Sequence, residues 1–461
     1  MTLEEVNPGD FQSSYARDLL SGLDFAVKDH VVDLAPVNPH SSWEGSGLMW
    51  LTGFSDLPPV FCPVPVAACA QGVWLALESI CKSPAIKNFD ASRLLAERAA
   101  FMSLTRQGDI NLGGSCRFLQ AADAEFVINM TRDSDWEMLP ALFEGQIDNA
   151  AAYAHDWLAL KKTAKIFAVS DLLERARLLG LALVPAEGLS LPHKSWVEST
   201  RLGRRADTSS RLPLVLDLSS LWAGPLCSHL LHKIGARVIK VESLSRPDGA
   251  RSGNKKFYDL LNAGKQSVAL DFKTEEGIAQ LKLLIKSADI VIEGSRPRAL
   301  HQMGIYAEQI VAERPGLTWL SITGYGRASP YGDWVAFGDD AAVAAGLSAA
   351  IKQDSGDWLF CGDAIADPLT GLHAALAAWA SWKRGGGHML DVSLYHVVSH
   401  CMKSAAAQPG TKLHYDSSTD CFDLARQKIE VKKPQLRRVI GAAAELGRDN
   451  QVVMNEFVMT C

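Results

Sequence analysis

The sequence lacks most of the short signatures that would settle its chemistry at once. No run approaches the roughly 18 consecutive apolar residues of a membrane span, so no transmembrane segment is expected. The nine cysteines (Cys62, Cys69, Cys81, Cys116, Cys227, Cys361, Cys401, Cys421 and Cys461) contain no CxxC pair and are odd in number. That argues against a disulfide framework or a zinc site and fits reduced thiols in a cytosol. No GxGxxG follows the first strand pattern and no GxxxxGK[ST] occurs, which argues against a dinucleotide fold and a P-loop enzyme. GxSxG and HExxH are absent as well. Positive charge is short: 46 Lys and Arg face 52 Asp and Glu, a net charge of −6. No global basic field exists for nucleic acid or an anionic membrane; a local basic pocket for a phosphorylated ligand is compatible with that balance. The acidic start, MTLEEVNPGD, has no apolar h-region and predicts no secretory signal.

What remains is ordinary globular material. The 461 residues are 48% hydrophobic and 21% charged, and at about 100–200 residues per domain they predict two to four domains. The run VAACAQGVWLALESIC reads as a helix. CRFLQAA and AEFVINM (116–130) read as a hairpin around Asp123. WEMLPALFEG, AAYAHDWLALKKTAK and VSDLLERARLLG carry helical patterns. Residues 196–212, polar and basic with no apolar period, are the best linker candidate. Beyond them LPLVLDLSS, ARVIKVE, QSVALDF, DIVIEG and LTWLSITGYG read as short apolar strands, alternating with 10–15-residue helical patterns such as AGPLCSHLLHKIG and EEGIAQLKLLIKSA. That alternation predicts an α/β domain with an open, doubly wound, mostly parallel sheet.

A shift of 299 residues aligns Gly47-Leu48 with Gly346-Leu347, Phe61-Cys62 with Phe360-Cys361, Gly72 with Gly371, and Ala76-Leu77 with Ala375-Leu376. Duplication is favoured over a chance match of two Ala/Leu-rich helices. In this alignment Ala68 faces Asp367. Asp367, in CGDAIADPLTGLHAALAAWASW, has two readings: an N-cap followed by Pro at the first helical position, or a nucleophilic carboxylate at a helix N-terminus. Asp339-Asp340 reads as a helix start or as substrate-facing groups. Glu242 ends a strand, where open α/β sheets bind ligands, and Arg246, Arg251, Lys255 and Lys256 follow, suited to a phosphate or to a solvated loop. Gly385-Gly386-Gly387 is an anion clamp or a tight turn. His229, His232 and His373 lie on helix patterns and read as packing or capping residues.

LVLDLSSLWAGPLCSHLLHKIGARVIKVES resembles the opening of class III CoA-transferases, the L-carnitine dehydratase/bile-acid-inducible (CaiB/BaiF) family. LLNAGKQSVALDFKTEEG, ADIVIEGSRPRAL, LSITGYGRASPYGDW, ADPLTGLHAALAAW and GGGHMLDVSL follow in family order over about 190 residues. The resemblance implies a Rossmann-like sheet with a smaller α+β domain, an acyl-CoA ligand, and Asp367 as the acyl-accepting nucleophile. It places CoA contacts at Ala223, Gly224, Glu242, Arg246, Arg251, Lys265 and Arg296. Coenzyme A would be a substrate, with no permanently bound cofactor and no metal; a free carboxylic acid would be the second substrate, in a cytoplasmic enzyme. Nucleic acid and membrane are not expected partners. Backbone N–H groups near Gly371 or the triple glycine would stabilise oxyanions. An acyl-CoA epimerase is the first alternative, although AFGDDAAV carries no His; a catalytically silent CoA-binding subunit is the second.

The order of segments departs from the family. About 210 residues precede the opening strand and about 60 follow the catalytic helix. The expected organisation is a degenerate second-half copy at 1–90, a small α+β domain at 91–200, a linker at 201–212, the CoA-transferase domain at 213–404, and a tail at 405–461 docking back on it. The family's interlocked homodimer, or an intramolecular pseudo-dimer standing in for it, is the expected assembly.

Overall fold

The computed structural model describes residues 11–25, 39–81, 83, 87, 89–192, 194–208, 211–405, 414–424, 427–438 and 440–458. Three sheets organise them. The first is a small antiparallel sheet of β1 (Cys116–Gln120), β2 (Glu125–Asn129) and β3 (Ala182–Pro185), with β1 and β2 forming the hairpin predicted around Asp123.

The main sheet has seven strands: β4 (Glu198–Arg201), β5 (Leu214–Asp217), β6 (Arg237–Ser243), β7 (Gln266–Leu270), β8 (Ile290–Glu293), β9 (Thr318–Thr323) and β10 (His388–Ser393). Their order is β4-β10-β9-β8-β5-β6-β7, parallel except for β4. Runs such as VLD and VIE are buried on both faces because helices cover both sides, so they show no alternation. The strand order reverses between β5 and β8, and such a switch point opens a crevice at the strands' C-terminal ends. The third sheet, β11 (His414–Asp416), β12 (Cys421–Leu424) and β13 (Gln427–Glu430), is antiparallel.

Three local expectations change. Residues 198–201 were expected to be linker but pair with His388–Asp391 as the sheet's antiparallel edge. Edge strands carry charge and expose their side chains, which is the polarity that hides them in sequence. The stretch after it is held as well, with Gly203 N and Ala206 N donating to the carbonyls of Gly387 and Gly385. AAYAHDWLALKKTAK is two helices, Asn149–Tyr153 and Trp157–Ala164, divided where His155 turns left-handed (φ 52°) and Asp156 caps Leu158 and Ala159. The triple glycine is a turn, with φ of 93°, 64° and 82°. It follows the 18-residue Ala366–Lys383 helix, about 27 Å from that helix's start at 1.5 Å per residue, too far to serve a site at Asp367.

The described residues between 11 and 112 and the helical layer of the main sheet share one hydrophobic core. Helix Val66–Cys81 packs along helix Ala366–Lys383. Positions 299 apart show matching backbone features. Gly47 and Gly346 are both left-handed (φ 77° and 95°) immediately before a helix. A Cβ at Gly72 would lie 2.9 Å from Tyr15 of helix Phe11–Gly22, and one at Gly371 would lie 2.7 Å from the Ala223 carbonyl of helix Ala223–Lys233. Each glycine therefore admits a close helix crossing. Helix Asn450–Val458 returns to β7, whose Ala269 exchanges hydrogen bonds with Asn450.

Candidate active site

Asp217, at the end of β5, is where the site begins. Lys265 Nζ (3.1 Å), Ser228 Oγ (2.5 Å) and Ser219 Oγ surround its buried carboxylate. Opposed by burial, Lys265 and then Lys240 hold Asp217 far below the usual carboxylate range. Lys240 Nζ also bonds the Ser219 carbonyl (2.8 Å) and pairs with Asp248 (3.0 Å). These contacts fix the turn from Ser219 to Gly224, in which Leu221 is left-handed (φ 69°). The Ala223 backbone that emerges from the turn favours the ionised form of Asp367.

Asp367 lies in the first turn of helix Ala366–Lys383. It does not cap that helix, contrary to the first of its two sequence readings: Ile365 occupies the cap position without a side-chain bond. Its side chain is free to face a crevice instead. Gly338 leaves room for it, since a Cβ there would overlap both Asp367 Oδ2 and the Ala364 carbonyl. Ala364 is left-handed (φ 44°). Two non-glycine residues in a strained conformation, Leu221 and Ala364, thus line one cavity with Asp367.

Two cavities meet at Asp367, sharing Leu221 and Phe337. One, about 310 Å³, is walled by Met102, Trp222 and Phe257, with Arg98 and Asp339 beside Asp367. The other, about 270 Å³, opens at the C-terminal ends of β5, β8 and β9, with Arg132 and Arg296 in its wall. Arg98 forms a bidentate pair with buried Asp363 (2.8 and 2.5 Å) and lies 5.2 Å from the Trp222 ring. Asn111 bonds Asp339 (2.6 Å) and Asn129 bonds Asp340 (2.9 Å), tying the small sheet to helix Gly338–Ala344. Burial pushes Asp367 up to about 7, with Arg98 opposing and Asp339 reinforcing. Burial likewise raises Asp339 to about 6, helped by Asp363, and Asp340 to about 7 against its bonds from Asn129 and Phe337. Around the second cavity, burial and the neighbouring Arg132, Arg298 and Arg246 pull the Arg296 guanidinium down, partly offset by Asp333. Arg132 and Arg296 thus line this cavity, with Arg246 of the loop after β6 and Arg298 of helix Pro297–Gln302 adding to the positive field at Arg296.

A family model matches the segment that carries Asp367 and the main sheet. Residues 214–420 match the model described as CoA-transferase family III. This segment belongs to CoA-transferase family III. The family III segment is 31% identical over 201 residues to a succinyl-CoA–D-citramalate CoA-transferase of Chloroflexus aurantiacus, covering 41% of this chain and 50% of that protein. It is 31% identical over 202 residues to a succinate–glutarate CoA-transferase of Agrobacterium fabrum (40% and 50%). A formyl-CoA:oxalate CoA-transferase of Escherichia coli is 32% identical over 195 residues (40% and 47%). The chain spans about half the length of the curated relatives it matches.

Within the family III segment the residues expected at the CoA site separate into two groups. Ala223, Gly224 and Arg296 line the second cavity with Asp367, and exposed Arg246 stands near Arg296. Glu242, Arg251 and Lys265 line neither cavity among the described residues. Glu242 is buried and paired with Arg251 (2.6 Å), and Lys265 is buried against Asp217. Asp339 and Asp340 both start a helix, as one reading had it, and Asp339 also faces the first cavity. His373 is packed between the Tyr15 hydroxyl (2.9 Å) and the Leu369 carbonyl (2.7 Å). Sequence reasoning missed Arg98, Asn111, Asn129 and Arg132, all upstream of the family III segment. Arg98 and Asp363 are 265 positions apart, and no local pattern marks such a pair.

Proposed function

We propose that the chain transfers coenzyme A from an acyl-CoA thioester to a free carboxylic acid, with Asp367 as the group transiently acylated. The observation that carries this reading is the place of Asp367 at the waist between a basic cavity and a largely apolar one, inside a family III segment. Arg132, Arg296 and their neighbours Arg246 and Arg298 suit the phosphates of CoA. The cavity beside Trp222 suits the acyl group.

In the proposed cycle the Asp367 carboxylate attacks the thioester carbonyl. A C–O bond forms, the C–S bond breaks, and CoA thiolate leaves, giving a mixed anhydride. The thiolate then attacks the Asp367 carbonyl of that anhydride, releasing the acyl group as a carboxylate and leaving an aspartyl-CoA thioester. An incoming carboxylate repeats the two steps in reverse order and departs as the new acyl-CoA. A carboxylate is a weak nucleophile, so positioning and desolvation must supply much of the rate. The tight fit of the carboxyl against Gly338 positions the reacting oxygen, and the apolar walls limit water.

Hydroxylamine added during turnover, followed by mass spectrometry, tests the reading: the expected product is a hydroxamate at Asp367. Asp367→Asn should lose both the hydroxamate and turnover, and turnover retained in that variant would refute the role. The epimerase alternative needs a second base. No histidine lines either cavity among the described residues, and the Asp339 carboxyl is held by Asn111 and the Ala364 N–H. The silent-subunit alternative is disfavoured by the retained carboxylate.

We further propose that residues 39–81 are a copy of the Gly338–Lys383 region that has lost its aspartate, with buried Ala68 in its place. With the small domain also supplied from upstream, this unit would take the position of a second subunit. The matching left-handed glycines and the matching helix crossings at Gly72 and Gly371 support the proposal.

A further inference from the structure

We infer that the cavity beside Trp222 accepts acyl groups that carry no second carboxylate: uncharged, mostly apolar acids of up to about ten non-hydrogen atoms. The inference rests on the transferase reading of Asp367. Size sets the upper bound, since about 310 Å³ holds on the order of ten atoms at roughly 30 Å³ each.

Charge sets the class. Arg98 is the one cation lining this cavity among the described residues, and it faces two lining carboxyls, Asp339 and Asp367. Its Nε and Nη2 are committed to Asp363, which leaves only Nη1 outside that pair. One free edge of one guanidinium can meet one carboxylate, and the reaction already brings one to Asp367. A second, on the far end of the acyl chain, would enter a space of net negative charge with no partner, which desolvation makes costly. The remaining polar side chains supply no charge: Asn254 accepts the Lys256 and Phe257 N–H groups at its Oδ1 and has only a neutral amide to offer, and Ser115 and Thr131 donate to Asn129. Asn111 is spent on Asp339 and the Cys116 N–H. Asn129 is spent on Asp340, Ser115 and Thr131. Trp222 and Phe257, in edge contact at 5.2 Å, present hydrocarbon. The relatives named above, by contrast, carry citramalate, glutarate and oxalate in their names, all dicarboxylates.

The test uses the full chain and four probes, hexanoyl-CoA, benzoyl-CoA, succinyl-CoA and glutaryl-CoA, scored by the initial rate of hydroxylamine-trapped modification at Asp367. At least one uncharged acyl-CoA is expected to exceed both dicarboxylic ones in kcat/KM by tenfold or more. Equal or faster modification by succinyl-CoA or glutaryl-CoA overturns the inference and leaves the Asp367 reading standing. No modification by any of the four overturns both. A second variant isolates the charge argument. Met102 lies at the cavity wall and is 49% exposed, so Met102→Arg adds the missing cation without disturbing the core. It should narrow the preference over glutaryl-CoA at least fivefold, and an unchanged ratio counts against charge as the reason for exclusion.

Discussion

Asp367, Asp339 and Asp340 are three carboxyls whose protons are held more tightly in the folded chain than in the unfolded one, chiefly through burial. Two consequences follow with definite sign. For catalysis, the nucleophile must be ionised, so kcat/KM should rise with pH up to about 7 and level off above it; a pH–rate profile flat between pH 5 and 8 would contradict the assignment. For stability, the folded chain binds more protons than the unfolded one between about pH 4 and 7, so stability should fall as pH rises across that window. Asp340→Asn keeps the shape, removes one titrating group, and should flatten the slope by up to about 1.4 kcal/mol per pH unit, as read from urea midpoints at several pH values. Gly338→Ala tests the room around the proposed nucleophile. Its methyl would displace the Asp367 carboxyl, so kcat should drop 10- to 100-fold while the affinity for free CoA, measured by calorimetry, stays within about threefold.

At the scale of elements, the parallel strands and the helices between them were readable because continuous apolar runs bounded by small residues have few other uses. Helix Val66–Cys81 matched its pattern residue for residue. What escaped was set by neighbours far along the chain: the edge strand β4, whose pairing partner β10 lies some 190 positions away, and the upstream half of the site. Arg98 sits on the short helix Glu97–Met102 like any surface arginine until Asp363 is placed against it. Lys265 shows the opposite error. The family resemblance places it among the CoA contacts, yet this lysine is committed to Asp217 and the carbonyl of Pro225. Removing one partner of a buried pair strands the other, so Lys265→Met should cost about 3–5 kcal/mol in chemical denaturation. A variant of normal stability with a CoA KM raised tenfold would return Lys265 to the ligand.

Across the described residues of the whole molecule, those between 11 and 112 and those of the family III segment are not separable bodies; they share a core that includes Cys62, Cys69, Cys227, Cys361 and Cys401. A common core predicts one cooperative transition. Thiol labelling across a urea series should expose these five cysteines at the same midpoint, and earlier labelling of Cys62 and Cys69 would indicate an upstream unit that unfolds alone. The sheet, its switch point and the carboxyl at Asp367 were visible in the sequence because they lie within one contiguous segment. The composite nature of the site was not, since Arg98, Asn129 and Arg132 acquire meaning only when the small sheet folds back over helix Gly338–Ala344. The constriction formed by Leu221, Phe337 and Asp367 has a practical corollary for ligand design. A bisubstrate inhibitor would need a slender connector to thread it, bearing an anionic head for the arginine side and a compact hydrocarbon foot for the tryptophan side. Thickening that connector by a single branch should abolish its advantage over either fragment alone.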